Sequence, residues 1–315
     1  MAKRKSVGGQ AVIEGVMMRG SKGVATAVRK PDGEIVIDRK DIIPYSKRYK
    51  ILGIPIIRGF VSLIESMIIG IQTLNYSASF FEEDVKEDDK PSAFEKVFTG
   101  IFKDKSDDAM MFITFIVSMV CAFGIFFMLP NFAANLFKKV SLFNNNILLN
   151  IIEGVLRVAI LILYMFLVGK LKDIKRVYQY HGAEHKTIFC YENEKELTAE
   201  NASKFVRFHP RCGTNFLFLV MLVSIILFSF TKWGSLWERL LSRLILLPLI
   251  SGVTYELIKW LGNSESKISK AIAFPGLMLQ KLTTCEPDLS QLEVAIAALK
   301  AAEGIDDEAK NQNQE

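Results

Sequence analysis

The stretch AMMFITFIVSMVCAFGIFFML, residues 109–129, carries no charged side chain and is followed directly by Pro130. An uncharged apolar run of this length predicts a transmembrane helix that ends at the proline. A buried helix in a soluble core is the alternative, but further apolar segments repeat the pattern along the chain. Half of the 315 residues are hydrophobic. The sequence therefore predicts an α-helical integral membrane protein.

Three more segments complete a predicted set of about four transmembrane helices: residues 147–168, 215–230 and 236–261. The second predicted span contains Glu153 and Arg157, whose spacing of four residues places them on one helix face, where they can pair. Two arginines at the start of the fourth span lie at the same predicted membrane end and could join them. These are Arg239 and Arg243.

Basic residues orient these spans, because cytoplasmic loops of membrane proteins are enriched in lysine and arginine. Residues 131–146 contain two, and residues 231–235 contain one. Residues 169–214 contain nine: Lys170, Lys172, Lys175, Arg176, Lys186, Lys195, Lys204, Arg207 and Arg211. The central loop is therefore predicted to be cytoplasmic, and four spans then place both termini in the cytoplasm.

Residues 1–53 predict a small β-rich cytoplasmic unit. Two apolar runs, residues 24–28 and 34–37, flank the turn sequence Pro-Asp-Gly at 31–33, which is typical of a β-hairpin. Residues 10–20 predict one strand followed by a tight loop, because glycines stand at positions 15 and 20.

Residues 54–75 predict an interfacial or re-entrant helix. Arg58, Glu65 and Gln72 recur every seven residues, which places them along one face of a helix. Such a helix can lie on the bilayer with its polar face outward. A fifth span is the alternative, since the segment is long and apolar enough, and it would move the N-terminus to the other side of the membrane.

The remaining segments complete the predicted domain organisation around the membrane domain at residues 109–261. Residues 76–108 are rich in acidic and basic side chains and predict a charged linker with a short helix at 93–102. Residues 262–315 predict a cytoplasmic C-terminal segment with a helix at 288–303, capped by Ser290 and Glu293, and a disordered polar tail at 304–315.

All three histidines of the chain lie in the predicted cytoplasmic loop: His181, His185 and His209. His181-Gly-Ala-Glu184-His185 has the H-x-x-E-H pattern, an inverted form of the zinc-hydrolase motif. On a helix, the two histidines would lie one turn apart on one face and could bind one metal ion. Glu184 would then be the catalytic general base. His209 or Glu256 would complete the ligand set, unless Glu256 pairs with a nearby basic residue.

The same segment allows two other interpretations. His181, His185, His209 and Cys212 form a set of nitrogen and sulfur ligands suited to a closed structural zinc site, which would leave no position for substrate. Alternatively, the histidines form hydrogen bonds in a polar loop without any metal. The four cysteines show no paired spacing, which is typical of a reducing compartment rather than a disulfide framework.

Four longer motifs make the chain resemble the YqhQ-like family of uncharacterised bacterial membrane proteins, described as predicted metal-dependent enzymes. These are GGQAVIEGVMMRG at 8–20, YHGAEHKT at 180–187, HPRCGT at 209–214 and EPD at 286–288. The resemblance covers nearly the whole chain and implies a multi-pass protein of the bacterial plasma membrane with a site for a divalent metal, for which zinc is the expected ion. Its implied functional residues are Glu14, Arg19, His181, Glu184, His185, His209, Arg211, Cys212 and Glu286.

One departure from that family pattern concerns Cys285, where a basic residue is expected. This departure argues against Cys285 as a ligand and leaves Cys212 as the candidate cysteine. For the first motif, a structural ion pair between Glu14 and Arg19 is the alternative to a functional role.

These observations lead to two functional hypotheses. The first is a membrane-bound zinc hydrolase whose substrate the sequence does not identify. The second is a non-enzymatic membrane scaffold or assembly factor with a structural zinc site. Expected partners are the lipid bilayer and an unidentified substrate or protein, and no nucleic acid is expected because the net charge of +5 is not concentrated in one patch. A transporter is disfavoured, since no internal repeat or broken helix pair is visible.

Overall fold

The computed structural model describes residues 7–81, 107–137, 145–264 and 266–305, with the side chains of 107–112 left out. Within these ranges the protein is mostly helical, with a small antiparallel sheet near the N-terminus. Most of the predicted charged linker, including its short helix at 93–102, lies outside the described residues, as does the polar tail from residue 306.

The N-terminal sheet is an antiparallel meander in which each strand pairs with the next. Its strands are β1 (Gly8–Val12), β2 (Gly15–Arg19), β3 (Val24–Arg29) and β4 (Ile35–Lys40). The predicted hairpin is confirmed as β3–β4. The prediction of one strand at 10–20 is wrong: the chain reverses at Ile13 and Glu14, where Glu14 adopts a φ of 49°, and this reversal creates two strands.

The helices follow in chain order. They are α1 (Ile57–Ala78), α2 (Asp107–Phe123), α3 (Leu129–Phe137), α4 (Asn146–Val168), α5 (Lys172–Glu192), α6 (Ala199–Ser203), α7 (Gly213–Ser229), α8 (Leu236–Asn263), α9 (Lys267–Thr283) and α10 (Leu289–Glu303). A single helical turn at Tyr45–Arg48 and a 3-10 turn at Lys50–Gly53 precede α1.

Among the described residues, four helices are long and apolar enough to cross a membrane: Ile57–Ala78, Ile113–Phe137, Asn146–Val168 and Leu236–Asn263. Three of them coincide with predicted spans. The predicted span at 215–230 is the shorter helix α7, with 17 residues, and α1 takes its place among the four.

Pro130 does not end the first apolar helix, contrary to the sequence-based expectation. A π-helical turn at Gly124–Met128 joins α2 to α3, and the helix continues through the proline to Phe137. Proline has no N–H for the carbonyl four residues earlier, which is that of Phe126. The Nε of Arg157 donates to this carbonyl at 3.1 Å, so a side chain from α4 replaces the missing backbone donor.

The largest hydrophobic core joins the sheet to α5 and α10. Helix α10 starts one residue later than predicted, and its cap is Asp288 with Gln291 rather than Ser290 with Glu293. The Asp288 carboxylate accepts the backbone N–H of Gln291 at 2.8 Å and therefore satisfies a donor of the first turn. This core fixes α5, the helix with the H-x-x-E-H pattern, against β1 and β2.

Helix α1 has two different faces. The face that contacts the sheet carries buried side chains along most of its length: Glu65, Ile69, Thr73 and Ser77. Ile69 packs with Met17 and Val24, and the Ser77 hydroxyl accepts the backbone N–H of Ile13 at 3.2 Å. The opposite face is apolar and exposed, with Ile64, Met67, Ile68, Ile71 and Leu74.

Candidate metal centre

Helix α5 carries the H-x-x-E-H pattern, as predicted, and places both histidines on one face. The rings of His181 and His185 lie 4.5 Å apart between centroids. Cys212 approaches them from the N-terminus of α7, where it is the capping residue and its Sγ accepts the backbone N–H of Thr214 at 3.4 Å. Cys212 therefore presents its sulfur to the two histidines from a fixed position at the start of a helix.

One ligand atom from each of His181, His185 and Cys212 lies within 4.8 Å of the others. His181 Nε2 is 3.1 Å from Cys212 Sγ. Two imidazole nitrogens and one thiolate are a donor set that zinc accepts. Among the described residues, this is the group in which at least three His, Cys, Asp or Glu side chains lie close enough together to hold one metal ion.

Backbone carbonyls fix the tautomers of both histidines. His181 Nδ1 lies 2.9 Å from the carbonyl oxygen of Thr283, and His185 Nδ1 bonds the carbonyl oxygen of Arg207. A carbonyl oxygen only accepts, so both Nδ1 atoms donate and both Nε2 atoms keep their lone pairs as acceptors, which His181 directs at Cys212 Sγ. Metal-binding histidines are commonly held in this way.

Burial reinforces the neutral state of His185. Its side chain is 1% exposed, and its Nε2 is buried with no hydrogen-bond partner among the described residues. Burial lowers the pKa of this imidazole, because the charged form would lose its hydration. A neutral ring with a free, buried lone pair is the form that a metal ion requires.

Glu184 is the buried carboxylate of the site. The backbone N–H of Gly9, in β1, bonds it, while its Oε2 has no hydrogen-bond partner among the described residues. Burial raises the pKa of this carboxyl group above its usual range. A raised pKa makes this carboxylate a stronger base than an exposed one.

A cavity of about 530 Å³ opens beside the group, and His181, Glu184 and Cys212 lie in its wall. The rest of the wall comes from β1, α1, the start of α7 and α8, and it includes Leu63 and Phe216. The site therefore lies where the sheet unit meets the apolar helices, and a small or amphipathic molecule could reach it.

His209 lies outside the three-residue group, although the sequence analysis proposed it as a ligand. Its Nδ1 accepts the backbone N–H of Arg211 at 3.3 Å, and its Nε2 is 3.5 Å from Glu192. Burial lowers the pKa of His209 to about 4, so the ring is neutral and occupies a structural position. The Gln280 side chain holds the backbone of His209: its Oε1 accepts the His209 N–H at 2.8 Å, and its Nε2 donates to the His209 carbonyl at 2.7 Å.

Glu256 also lies outside the group. It accepts from the Nε of Arg58 at 2.6 Å and joins α8 to α1. The structure therefore supports the ion-pair interpretation of Glu256 rather than the ligand interpretation, with Arg58 as the basic partner.

The two charged residues of the first motif do not pair with each other. Glu14 bonds Arg176 at 2.6 Å and Tyr180 at 3.1 Å, which ties the first β-turn to α5. Arg19 pairs with Glu65 of α1 at 3.2 Å. Both residues connect the sheet to its neighbouring helices, and neither reaches the metal-type group.

The other two residues that the resemblance implied also form structural ion pairs. Arg211 pairs with Glu192 at the end of α5. Glu286 pairs with Lys186 at 2.7 Å and with Arg207 at 3.2 Å. Because Arg207 supplies the carbonyl that holds His185, the Glu286 contacts support the position of that histidine indirectly.

Three groups that surround the histidines have no signal in the sequence: the carbonyls of Thr283 and Arg207, and the N–H of Gly9. All three are backbone groups, and any residue type supplies them, so no sequence pattern could have revealed them. The Glu192 carboxylate was missed as well, because it lies seven residues after His185, outside the motif.

Fold and site together define a class: a mostly helical protein with membrane-length apolar helices, a small N-terminal sheet, and a buried His-His-Cys group beside a cavity. Residues 54–304 match the profile of a protein family described as "Protein of unknown function (DUF1385)", and the chain belongs to this family. It is 34% identical to "Uncharacterized protein YqhQ" of Bacillus subtilis (strain 168) over 301 residues, 94% of this chain and 92% of that protein. The predicted family is thus confirmed. No solved structure matches the chain.

Proposed function

We propose that the protein is an integral membrane, metal-dependent hydrolase with a zinc site at its cytoplasmic face. The observation that carries this proposal is the three-residue group of His181, His185 and Cys212 beside the 530 Å³ cavity. Three protein ligands with an open fourth position are the pattern of catalytic zinc, whereas structural zinc sites have four protein ligands.

The residues present fit a zinc ion by their chemistry. Both histidines offer Nε2 lone pairs held by carbonyl acceptors at Nδ1, and the Nε2 of His185 is buried without another partner among the described residues. When bound, zinc supplies Lewis-acid polarisation of a substrate oxygen and lowers the pKa of water.

The chain's own residues have distinct roles in this proposal. Glu184 accepts a proton from the attacking water and returns it to the leaving group, since burial raises its carboxyl pKa toward neutrality. The Gly9 N–H orients this carboxylate. The apolar side chains of Leu63 and Phe216 favour a substrate with an apolar part and limit the access of bulk water.

The membrane orientation rests on the distribution of charge. The segment with nine basic residues, 169–214, contains α5 and the start of α7, so the positive-inside rule places the candidate site in the cytoplasm. Helices 113–137, 146–168 and 236–263 are proposed as spans, together with α7, whose 17 residues extend about 26 Å. Helix α1 is proposed to lie at the membrane surface.

The experiment combines metal analysis with matched variants of the full-length protein purified in detergent. We expect one zinc ion per chain in the wild type. We also expect slow hydrolysis of a chromogenic ester or phosphodiester that requires this zinc. Glu184→Gln should keep zinc and the unfolding temperature but lower the rate by at least about 100-fold. Glu200→Gln, an exposed carboxylate on α6, is the control and should change neither property.

Two outcomes contradict the hydrolase. Metal-free wild-type protein would exclude a zinc site and would leave the 3.1 Å contact between His181 and Cys212 as a thiol–imidazole hydrogen bond. If Cys212→Ser loses metal and stability while Glu184→Gln keeps its full rate, the scaffold with a structural zinc site is the better account.

A further inference from the structure

A second charged cluster lies at the other end of the helix bundle and takes no part in the proposed reaction. Its centre is Glu153 of α4, which is 1% exposed. Glu153 accepts from Arg157 at 2.7 Å and from Arg243 of α8 at 2.5 Å. Helix α7 separates the two sites, since Cys212 precedes its start and Phe228 at its other end contacts the Arg243 guanidinium. The separation along α7 is about 25 Å.

A third arginine completes the cluster. Arg239 is 6% exposed, and its Nη2 donates to Asn131 Oδ1 at 3.1 Å. Its guanidinium lies 4.3 Å from the ring centroid of Trp233. The Nε and Nη1 of Arg239 are buried and have no hydrogen-bond partner among the described residues, and the same holds for Arg243 Nη1 and Asn131 Nδ2.

The charges of this cluster do not balance within the described ranges. Arg157, Arg239 and Arg243 are always protonated, whereas Glu153 is the one carboxylate that bonds to them there. The excess of two positive charges is buried among apolar helices, where an uncompensated charge is costly. The N–H groups without a partner could donate hydrogen bonds to an anion that balances this charge.

We propose that this cluster is a binding site for a phosphate-class oxyanion. Guanidinium groups bind phosphate oxygens through paired N–H donors, and a phosphate carries the one or two negative charges that the cluster lacks. The side-chain N–H groups of Arg239, Arg243 and Asn131 supply the donors. A cavity of about 670 Å³ lies next to Trp233, the ring on which the Arg239 guanidinium packs, and Lys232 and Glu238 also line it.

Two sources can supply this chemistry: the phosphate of a phospholipid headgroup, or free phosphate. The cluster lies at the membrane end of α4 and α8, where a lipid headgroup would reach it in the proposed topology. The proposal does not depend on the hydrolase, because no residue of the His-His-Cys group takes part.

The test measures thermal unfolding of the full-length protein in a neutral detergent. The probes are sodium phosphate, against sodium chloride at equal ionic strength, and dioctanoyl phosphatidic acid, against dioctanoylglycerol. We expect the unfolding temperature to rise with phosphatidic acid, with phosphate or with both, and to remain unchanged with the controls. A rise with phosphatidic acid alone identifies a lipid headgroup as the source.

Arg239→Gln should shift the half-maximal concentration of the active probe upward by at least about tenfold. Arg58→Gln is the control. It removes an arginine that donates to Glu256 elsewhere in the bundle, so it should keep the wild-type response. Glu153→Gln is the second variant: it removes the competing carboxylate, so its response should appear at lower probe concentration.

Three outcomes would overturn the proposal. The first is a wild-type protein that responds to neither probe. The second is an Arg239→Gln variant with the wild-type response. The third applies if Arg239→Gln does not fold. In that case the proposal is overturned when Glu153→Gln responds to the active probe no more strongly than the wild type does.

Discussion

Gly182 stands between the two histidines of α5 and packs directly on the chain that follows α9. A methyl group at this position would overlap the carbonyl oxygen of Cys285. Cys285 is two residues from Thr283, whose carbonyl holds His181 in its ligand tautomer. The absence of a side chain at 182 therefore allows the close contact that orients one proposed ligand.

We expect Gly182→Ala to lower the free energy of unfolding by about 1–3 kcal/mol, because the backbone around Cys285 must move. The displaced Thr283 carbonyl should also weaken zinc binding by about 10–100-fold, the usual cost of losing a group that supports a ligand. Competition with a zinc chelator and thermal unfolding measure the two effects.

Gly213→Ala is the matched control for this change. Gly213 is next to Cys212, yet a methyl group there would meet nothing within 4 Å. This variant should keep both zinc affinity and stability. Equal losses in the two variants would mean that zinc binding does not depend on the contact between Gly182 and Cys285.

The types of residue that form the site could be predicted from the sequence. Which individual residues come together there could not. The spacing of His181 and His185 on a helix is sufficient to place them together. By contrast, His209 and Cys212 are only three residues apart, and the structure brings Cys212 to the group and directs His209 toward Glu192. That choice depends on where α7 begins, which local sequence does not determine.

At the scale of elements, the joint between α2 and α3 couples two helices through one carbonyl. Pro130 frees the Phe126 carbonyl, and Arg157 of α4 donates to it. The apolar composition of this segment was sufficient to predict a helix. Its continuation beyond the proline was not predictable, because it depends on a donor that lies 27 residues away in the chain.

Arg157→Lys should lower the free energy of unfolding by about 1–3 kcal/mol, since the partly buried Phe126 carbonyl loses its donor. The cost should be smaller in a Pro130→Ala background, where residue 130 regains a backbone N–H for Phe126. Unfolding in mixed detergent micelles, arranged as a double-mutant cycle, measures the difference.

Pro248→Ala serves as the control background for that cycle. Pro248 is also inside a helix, α8, but it does not free the carbonyl that Arg157 contacts. The cost of Arg157→Lys should therefore be unchanged there. An identical cost in all three backgrounds would show that the Phe126 carbonyl does not depend on Arg157.

At the scale of the whole molecule, the position of α1 relative to the bilayer decides where the sheet lies. Length and composition allow α1 to span a membrane. Its contacts favour a different position, because Glu65, Ile69 and Ser77 all touch the sheet or the chain that follows it. If α1 spanned the bilayer, the part of the sheet that contacts it over three turns, including the charged Arg19, would have to enter the hydrocarbon, where charged side chains are costly.

The opposite face of α1 then becomes the membrane-facing surface. Ile64, Met67, Ile68, Ile71 and Leu74 are each more than two-fifths exposed. An apolar face beside a face that packs on a cytoplasmic unit is the arrangement of an interfacial helix. In the proposed topology, such an interfacial α1 would place the sheet, α5 and the metal-type group on the cytoplasmic side, next to the bilayer.

Nitroxide labels at Ile64, Met67, Ile71 and Leu74 can test this arrangement in reconstituted vesicles. We expect all four labels to lie at similar, shallow depths, as judged by collision with oxygen and with a water-soluble nickel complex, because the helix runs parallel to the surface. Cys121 and Cys285 are replaced by serine beforehand, whereas Cys190 and Cys212 are buried and can remain. A label at Glu200, an exposed position on α6, is the aqueous control. Depths that increase toward the middle of α1 and decrease again would instead require a fifth span, and the sheet would then be detached from the helix face that it contacts here.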